Sequence, residues 1–351
     1  MSEPGQVETT KVTEAHRIDE AALAKYLKDH ITGFGPDMIV RQFPVGQSNP
    51  TYRLSAGGRC YVLRKKPPGT LLPSAHAVDR EFKVINALKD TDVPVPQALH
   101  LCQDPDVIGT EFFIMQMVEG RVFHDPGLPG LSNSERSQYF DDYICILAAL
   151  HAVDFDSIGL GDFGRPNGYL ERQVARWSKQ YEASKTGDIP AMDRIIDWLP
   201  KNLPADTSIS IVHGDYRPGN TITYATEPRV AAVLDWELST LGHPLADLGY
   251  CCAAYHGKIS SVGDFSLLDH RALGIPTEEE FVAKYCEYSG RSKIDDAPYY
   301  VIFSLFRSAA IIQGVYKRGL DGNASSDQAL MFGEMAKARA ATAWGLVESH
   351  F

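Results

Sequence analysis

The chain has no run of apolar residues long enough to cross a membrane. None of its stretches reaches about 18 consecutive apolar residues, the length at which a membrane-spanning helix is predicted. The first twenty residues are polar and lack the apolar segment of a secretory signal peptide. We therefore expect a cytoplasmic protein with no membrane among its partners, in which residues 1–16 form a mobile tail.

Cysteine is sparse and shows no pattern. The six cysteines lack both the paired spacing of a zinc site and the density of a secreted disulfide scaffold. They predict reduced thiols in mainly apolar surroundings. Their positions are Cys60, Cys102, Cys145, Cys251, Cys252 and Cys286.

Positive charge is also scarce. The chain has 34 Lys and Arg against 45 Asp and Glu, which gives a formal net charge of -11. Such a charge argues against a sequence-independent nucleic-acid surface, so we expect no nucleic-acid partner, although a local basic site for a nucleotide remains compatible with it. With 351 residues, of which 44% are hydrophobic, the chain can bury a large core and is expected to divide into two lobes.

Two polar motifs in the second half of the chain carry the chemistry. The first, Ile211-Val-His-Gly-Asp-Tyr-Arg-Pro-Gly-Asn220, has the His-x-Asp-x-x-x-x-Asn spacing of a kinase catalytic loop. The second motif, Leu234-Asp-Trp-Glu237, begins at the last residue of a strand that the sequence predicts over 231–234. In a phosphoryl-transfer site one Asp accepts the proton of a substrate hydroxyl, while an Asn and a second Asp bind Mg²⁺. These positions are Asp215, Asn220 and Asp235.

These motifs, with the later Leu241-Gly-His-Pro-Leu-Ala-Asp-Leu-Gly249, resemble the aminoglycoside phosphotransferase and choline kinase-like family. They are most similar to a subgroup that is also found joined to acyl-CoA dehydrogenase domains, and the resemblance covers most of the chain. It implies an α+β, protein-kinase-like fold with a small antiparallel sheet lobe and a larger, mainly α lobe. It also implies ATP (or GTP) and Mg²⁺ as cofactors, and a small molecule with a hydroxyl group as the second substrate.

The hydrophobic pattern agrees with such a division. Alternating and helical spacings predict one lobe over 17–118 and a second over 119–351. The resemblance implies that the first is the nucleotide-binding lobe and the second the catalytic and substrate-binding lobe. In the first lobe we predict strands over 38–45, 51–54, 60–64 and 112–118, and helices over 18–31 and 77–88. In the second lobe we predict helices over 134–153, 170–184, 190–199, 278–288, 298–317 and 326–349.

The turn after the first strand lacks the Gly-x-Gly-x-x-Gly pattern with which protein kinases cover the nucleotide phosphates. The resemblance implies that Gly46 and Asn49, with Ser48 between them, still lie over the phosphates. The alternative is an ordinary hairpin turn. After the last strand of this lobe, the resemblance implies that Gln116, Met117 and Val118 line the adenine pocket.

A basic residue on the third strand is expected to contact the phosphates. Strand alternation puts Arg64 and Lys65 on opposite faces, so only one can do so, and we favour Arg64, where many relatives have lysine. Glu81, on the helix predicted over 77–88, is the expected partner that holds this cation. The alternative for Glu81 is a surface pair with Lys83 or Arg80.

Four further positions near the motifs have expected roles. Arg217 either contacts the transferring phosphate or substrate, or has a structural role in which it caps its loop or pairs with a neighbouring carboxylate. His213 is expected to brace the catalytic loop from behind. Asp247 is expected to accept backbone hydrogen bonds that fix the loop, and His151 is expected to pack in the core.

The acceptor pocket is expected to include residues of two helices, namely Arg176, Trp177, Tyr181 and Arg307. Their mix of arginine and aromatic groups suits an acceptor with an anionic or thioester-linked acyl part. The resemblance to domains joined to acyl-CoA dehydrogenases implies a hydroxyacyl-CoA or a hydroxy acid rather than an aminoglycoside or choline. We expect a monomer or homodimer. Two alternatives stay open: a metal-dependent hydrolase that would use His213, Asp215, Asp235 and His243, and a nucleotide-binding protein without catalytic activity.

Overall fold

The computed structural model describes residues 9–44, 49–67, 77–257, 265–266, 268–322 and 331–351. The chain forms two compact units. One, here called the sheet unit, contains the described residues up to Phe123 together with Asp156–Leu160 and Asn220–Ser239. The other, here called the helical unit, contains His124–Phe155, Gly161–Gly219 and the described residues from Thr240 onward.

The sheet unit is built on five antiparallel strands in the spatial order β1-β2-β3-β5-β4. The strands are β1 (Ile39–Gln42), β2 (Thr51–Ala56), β3 (Arg59–Lys65), β4 (Ala98–Cys102) and β5 (Phe112–Gln116). Its two α-helices are α1 (Glu20–His30) and α2 (Val78–Leu88). Leu23 and Leu27 of α1 pack with Leu54, Leu63 and Ile114 of the sheet in one buried core, which excludes water from that face of the sheet.

The four strands and two helices predicted for this region are present, and their ends differ from the predicted ends by at most three residues. The sheet also contains a fifth strand, β4, which the sequence analysis did not predict. Four of its five residues are only half-buried and its pairing with β5 shifts register between Ala98 and His100. A strand without alternating burial leaves no period-two signal in the sequence.

Residues 220–239 belong to the sheet unit because of hydrogen bonds made by a short hairpin. Its strands are β7 (Thr221–Thr223) and β8 (Val230–Val233). Thr223 and Arg121 exchange two backbone hydrogen bonds of 2.7 and 2.8 Å, and the N–H of Val233 donates to the carbonyl of Pro94 at 2.8 Å. The boundary between the two functional lobes, predicted after residue 118, stays a prediction. The two compact units of the structure divide after Phe123.

The helical unit contains eight α-helices among its described residues. They are α3 (Asn133–Ala152), α4 (Tyr169–Ser184), α5 (Pro190–Trp198), α6 (Pro244–Ala253), α7 (His270–Leu273), α8 (Glu278–Ser289), α9 (Ala297–Leu320) and α10 (Phe332–His350). Two short strands, β6 (Ser210–Val212) and β9 (Thr240–Gly242), pair antiparallel. Capping boxes begin α3 at Ser132 and α8 at Thr277, which satisfies N–H groups that would otherwise lack a partner.

All six helices predicted for this region are present, although residues 326–330 of the last predicted helix lie outside the described residues. The sequence analysis did not predict α6. Nine of its ten residues are buried, so it has no polar face and therefore no period of 3.6 residues that a pattern search could detect. The predicted fold class, a two-lobed α+β protein with a small antiparallel sheet, is confirmed.

No helix in the described part of the chain is long and apolar enough to span a membrane. All six cysteines are free thiols, and three of them are buried.

A glycine allows α6 to approach α9 closely. A Cβ atom added at Gly249 would lie 2.5 Å from the carbonyl carbon and oxygen of Tyr300, which is backbone and cannot move aside cheaply. We expect Gly249→Ala to lower the free energy of unfolding by about 1–3 kcal/mol, the usual cost of overpacking. The matched control is Gly345→Ala in α10, where no atom lies within 4 Å of the added Cβ. That change is expected to stabilise the helix by up to about 1 kcal/mol, and equal denaturation midpoints for the two variants would contradict the packing argument.

Candidate active site

Arg64 is the centre of a buried charge cluster in the sheet unit. Its Nη1 lies 2.7 Å from Glu81 Oε1 on α2, and its Nη2 lies 3.0 Å from Asp235 Oδ1 after β8. A carboxylate oxygen of Glu237 is 4.0 Å from the same Nη2. The structure thus contains the expected contact of Arg64 with Glu81 and adds Asp235, which was selected from a different motif, while their roles toward a nucleotide stay predictions.

Lys65 lies apart from this cluster, as strand alternation requires. Its side chain is 5% exposed and forms no salt bridge with another described residue, and burial lowers its pKa. Of the two candidate cations, therefore, Arg64 is the one beside the carboxylates.

The charges around Arg64 are not balanced. The pKa of Glu81 is raised to about 7, chiefly by burial, because a carboxylate that is 1% exposed has lost its hydration. Within this net shift Arg64 lowers the pKa, while Asp235 and Glu237 raise it. One guanidinium thus faces three carboxyl groups, an arrangement that favours an additional cation.

Asn220 and Asp235 lie at the two ends of the β7–β8 hairpin. The N–H of Leu234 donates to the carbonyl of Asn220 at 2.8 Å, which ties the residue before Asp235 to Asn220. Asp235 has a left-handed backbone with φ of 67°, a conformation that Asp tolerates better than most residues, and its side chain is partly exposed. Amide and carboxylate oxygens are suitable ligands for Mg²⁺.

The described residues contain no group of three or more His, Cys, Asp or Glu side chains that could form a metal site by themselves. Proteins usually hold Mg²⁺ through one or two carboxylates together with substrate phosphates rather than in an all-protein cage.

The turn expected to cover the phosphates is only partly described. Gly46 and Ser48 lie outside the described residues, so their roles remain predictions. Asn49 is fully buried, and its Nδ2 donates to Glu237 Oε2 at 2.9 Å. Asn49 is thereby held against the Asp-Trp-Glu turn, which also explains Glu237, a residue for which the sequence indicated no clear role.

The segment after β5 leaves a backbone group available. The N–H of Gln116 donates to Gln97 O at 2.9 Å, and that of Met117 donates to Cys60 O at 3.4 Å. Val118 is half-buried, and its N–H has no hydrogen-bond partner among the described residues. This N–H could donate to an adenine ring.

In the helical unit, the loop after β6 is fixed from behind. His213 is completely buried, and its Nδ1 accepts a 3.2 Å hydrogen bond from the N–H of Asp215. The carboxylate of Asp247 on α6 accepts the N–H groups of His213 at 2.6 Å and Gly214 at 2.9 Å. The predicted brace by His213 and the predicted backbone contacts of Asp247 are both confirmed. His151 is also in the core, where its Nε2 lies 3.5 Å from Asp247.

Asp247 is expected to couple stability to pH. Burial raises its pKa, but His151, His213 and the Gly214 N–H outweigh burial, so that the pKa lies below its usual 3.8. The stabilisation is therefore present above about pH 4 and is lost as the pH falls through the lower, folded-state pKa.

We expect Asp247→Asn, which leaves one buried N–H without its partner, to lower the free energy of unfolding by about 1–3 kcal/mol at pH 7. The variant should also lose stability less steeply below pH 4 than the native chain in acid titrations of the unfolding midpoint, and equal slopes would contradict this role.

Asp215 receives a hydrogen bond on each carboxylate oxygen. Arg217 Nε donates to Oδ2 at 3.3 Å, and the hydroxyl of Tyr250 on α6 donates to Oδ1. Arg217 thus contacts the proposed base itself, which is one of the two roles left open for it. Tyr250 was missed in the sequence analysis. The sequence feature that could have indicated Tyr250 is its position three residues after Asp247, which places the two residues on the same face of a helix.

The residues proposed for the acceptor pocket lie on α4 and α9. The Nη2 of Arg307 donates to Gly214 O at 2.7 Å, and its guanidinium carbon is 5.7 Å from the centre of the Trp177 ring. Arg176, which is exposed, lies 5.2 Å from the same ring. Tyr181 is 0% exposed. Because a fully buried ring does not present a surface to a ligand, we leave Tyr181 out of the proposed pocket.

His243 is engaged within the fold. Its Nδ1 accepts the N–H of Leu245 at 3.2 Å as the N-cap of α6, and its Nε2 lies 3.1 Å from Asp206 O and 3.2 Å from the Tyr300 hydroxyl. Burial lowers its pKa. Both ring nitrogens therefore have protein partners, which counts against the hydrolase alternative that needs His243 as a metal ligand.

Comparison with known proteins agrees with the geometry. The family model described as the phosphotransferase enzyme family, APH, matches residues 39–285. Acyl-CoA dehydrogenase family member 10 of Mus musculus is 46% identical over 346 residues, which are 97% of this chain and 32% of that protein. Acyl-CoA dehydrogenase family member 11 of Homo sapiens is 41% identical over 355 residues, 99% of this chain and 45% of that protein. The chain thus spans less than half the length of these curated relatives.

Solved structures show the same fold. A candidate aminoglycoside phosphotransferase from Ralstonia eutropha JMP134 has a TM-score of 0.87 and 46% identity, covering 95% of this chain and all of that one. Choline kinase from Cryptosporidium parvum Iowa II has a TM-score of 0.66 at 12% identity, over 94% of this chain and 96% of that one. An aminoglycoside phosphotransferase solved with ADP and hygromycin B has a TM-score of 0.60 at 16% identity, over 93% and 98% of the two chains. The chain belongs to the phosphotransferase enzyme family.

Proposed function

We propose that this protein is a small-molecule kinase that transfers the γ-phosphoryl group of ATP (or GTP) to a substrate hydroxyl. The observation that carries the proposal is the cluster in which Arg64 contacts both Glu81 and Asp235. A buried guanidinium held by a helix carboxylate, next to a carboxylate that can bind Mg²⁺, is the arrangement that kinases use to hold nucleotide phosphates. The complex of a fold relative with ADP supports nucleotide binding.

In the proposed reaction, Asp215 accepts the proton of the acceptor hydroxyl. The hydroxyl oxygen forms a bond to the γ-phosphorus, the bond from that phosphorus to the β,γ-bridging oxygen breaks, and ADP leaves with the bridging oxygen. Asn220 and Asp235 would hold Mg²⁺, which supplies positive charge against the β- and γ-phosphates. Arg64 adds fixed positive charge in the sheet unit, and Arg217 orients Asp215 and can contact the transferring group.

For the nucleotide base, we propose the segment after β5. The half-buried Met117 and Val118 supply apolar contact, the Val118 N–H supplies a donor, and Gln116, which is exposed, lies at the start of this segment. Asn49 is held by its hydrogen bond to Glu237. For Gly46 and Ser48, which precede it in the sequence, we propose contact with the phosphates.

The acceptor proposed here is a hydroxyacyl-CoA or a hydroxy acid. Arg176 and Arg307 flank the indole of Trp177 in the helical unit, and two guanidinium groups beside an aromatic ring suit an anionic ligand. The names of the acyl-CoA dehydrogenase relatives support an acyl-CoA. An aminoglycoside or choline would need acidic groups in place of these arginines.

The test is product formation with a panel of acceptors. The chain is incubated with ATP or GTP and Mg²⁺, together with hydroxybutyryl-CoA, hydroxybutyrate, choline or an aminoglycoside, and each acceptor is analysed by mass spectrometry. We expect a phosphorylated hydroxyacyl-CoA or hydroxy acid, and no product with Asp215→Asn. Nucleotide binding without any phosphorylated product across the panel would favour a nucleotide-binding protein that does not catalyse transfer.

A further inference from the structure

Helix α6 contacts the loop of the proposed base at two positions. Its Asp247 accepts the backbone N–H groups of His213 and Gly214, and its Tyr250 donates a hydrogen bond to the side chain of Asp215. Residues three apart lie on the same face of a helix. One helix face therefore holds both the backbone of the loop and the carboxylate that it carries.

The second of these contacts fixes the orientation of a carboxylate. Tyr250 donates to Oδ1 of Asp215 and Arg217 donates to Oδ2. An ionised carboxylate offers about four lone-pair directions, so these two donors use one on each oxygen. With both oxygens held, the plane of the carboxylate is set, and a hydroxyl can approach only along the remaining directions. Such positioning matters because a misplacement of about 1 Å can cost about 100-fold in rate.

Tyr250 is suited to act as a permanent donor. Burial raises its pKa far above the usual value, and the neighbouring Asp215 carboxylate raises it further. The phenol therefore keeps its proton throughout the neutral range, and its hydroxyl can only donate to an ionised Asp215. The guanidinium of Arg307 lies beside the same side chain, 5.9 Å from the ring centre.

We infer that Tyr250 is a positioning residue for phosphoryl transfer, which holds the Asp215 carboxylate so that a lone pair faces the acceptor hydroxyl. This inference rests on the proposed function. The proton of the acceptor passes to Asp215, and Tyr250 keeps its own proton throughout.

The test compares two phenol-to-phenyl changes. Tyr250→Phe removes the donor to Asp215 but keeps the ring. Tyr255→Phe, the matched control, removes a hydroxyl that donates to Pro276 O at 3.0 Å, away from the base. The readout is ADP formation from ATP and Mg²⁺, with hydroxybutyryl-CoA as acceptor and with water alone. We expect kcat to fall about 10- to 100-fold in Tyr250→Phe, the KM for ATP to stay within about 2-fold, and Tyr255→Phe to behave as the native chain.

A double-mutant cycle separates positioning from a general structural role. If Tyr250 acts through Asp215, adding Tyr250→Phe to Asp215→Asn should cause no further loss of kcat. If the losses in kcat of the two single variants multiplied in the double variant, the inference would be overturned. It would also be overturned if Tyr250→Phe kept full activity while Asp215→Asn was impaired. A native chain that forms no ADP, or an Asp215→Asn variant with native activity, would instead overturn the proposed function, and the inference with it.

Discussion

Replacement of Asp215 by asparagine is expected to lower the rate of phosphoryl transfer by about 10²- to 10⁴-fold. The change removes the group that accepts the proton of the acceptor hydroxyl but keeps the size of the side chain and an oxygen for Tyr250 or Arg217. Because Asp215 is not proposed to contact the nucleotide, the affinity for ATP and Mg²⁺ should stay nearly unchanged. The measurement is kcat and KM for ATP with a confirmed acceptor.

The matched control is Asp141→Asn, which also removes a carboxylate from the helical unit. Asp141 forms a surface pair with Lys284 at 2.8 Å, and both side chains are close to half exposed. Such pairs contribute little to stability and none to the proposed reaction, so this variant should retain native kinetics. If Asp215→Asn kept full activity toward a confirmed acceptor, its assignment as the base would be wrong.

Replacement of Arg64 by alanine should strongly destabilise the sheet unit. It would leave Glu81, which is 1% exposed, without the only cation that contacts it among the described residues. Removing one partner of a buried pair typically costs about 3–5 kcal/mol, because the remaining charge stays buried without compensation. We expect a loss of this size in the free energy of unfolding at pH 8, measured by denaturant titration, together with loss of nucleotide binding.

The loss should depend on pH in a defined direction. Glu81 has a raised folded-state pKa, so its contribution to stability is present below its unfolded value of 4.5 and is lost as the pH rises through about 7. At pH 6, below this pKa, the carboxyl is already mostly protonated, so the loss of Arg64 leaves little uncompensated charge, whereas at pH 8 the carboxyl of the native chain is ionised. Arg64→Ala should therefore be less destabilising at pH 6 than at pH 8. Arg64→Lys, which keeps the charge, is the control, and an equal loss for Arg64→Ala at both pH values would contradict the account.

The sequence was sufficient to select candidates for the residues whose proposed chemistry requires a fixed spacing. Asp215 and Asn220 lie on one loop, and Asp235 ends a predicted strand, so local pattern selected them. Strand alternation left a choice between Arg64 and Lys65; the kinase template favoured Arg64 and required a helix glutamate as its partner, for which helix amphipathicity favoured Glu81. The structure places Arg64, Glu81 and Asp235 within one cluster.

Features set by tertiary packing could not be predicted in this way. Helix α6 is buried on all sides, so it shows no helical period, and without it the contact of Tyr250 with Asp215 could not be predicted. Strand β4 lacks alternating burial. Tyr181 was among the residues expected in the acceptor pocket, but its side chain is fully buried. For α6, β4 and Tyr181, it is the burial of the side chains in the folded chain, rather than the residue type, that the sequence pattern does not show.

The measurement that tests the central claim most directly is thermal stability with and without ATP and Mg²⁺, for the native chain and for Asp235→Ala. The account predicts that ATP raises the melting temperature of the native chain only when Mg²⁺ is present, by an amount that grows with nucleotide concentration. It predicts that the increase disappears in Asp235→Ala, because the carboxylate that holds Mg²⁺ is gone. A native chain whose melting temperature does not change with ATP or GTP and Mg²⁺ would contradict the account, and an Asp235→Ala variant with the native increase would contradict the metal site.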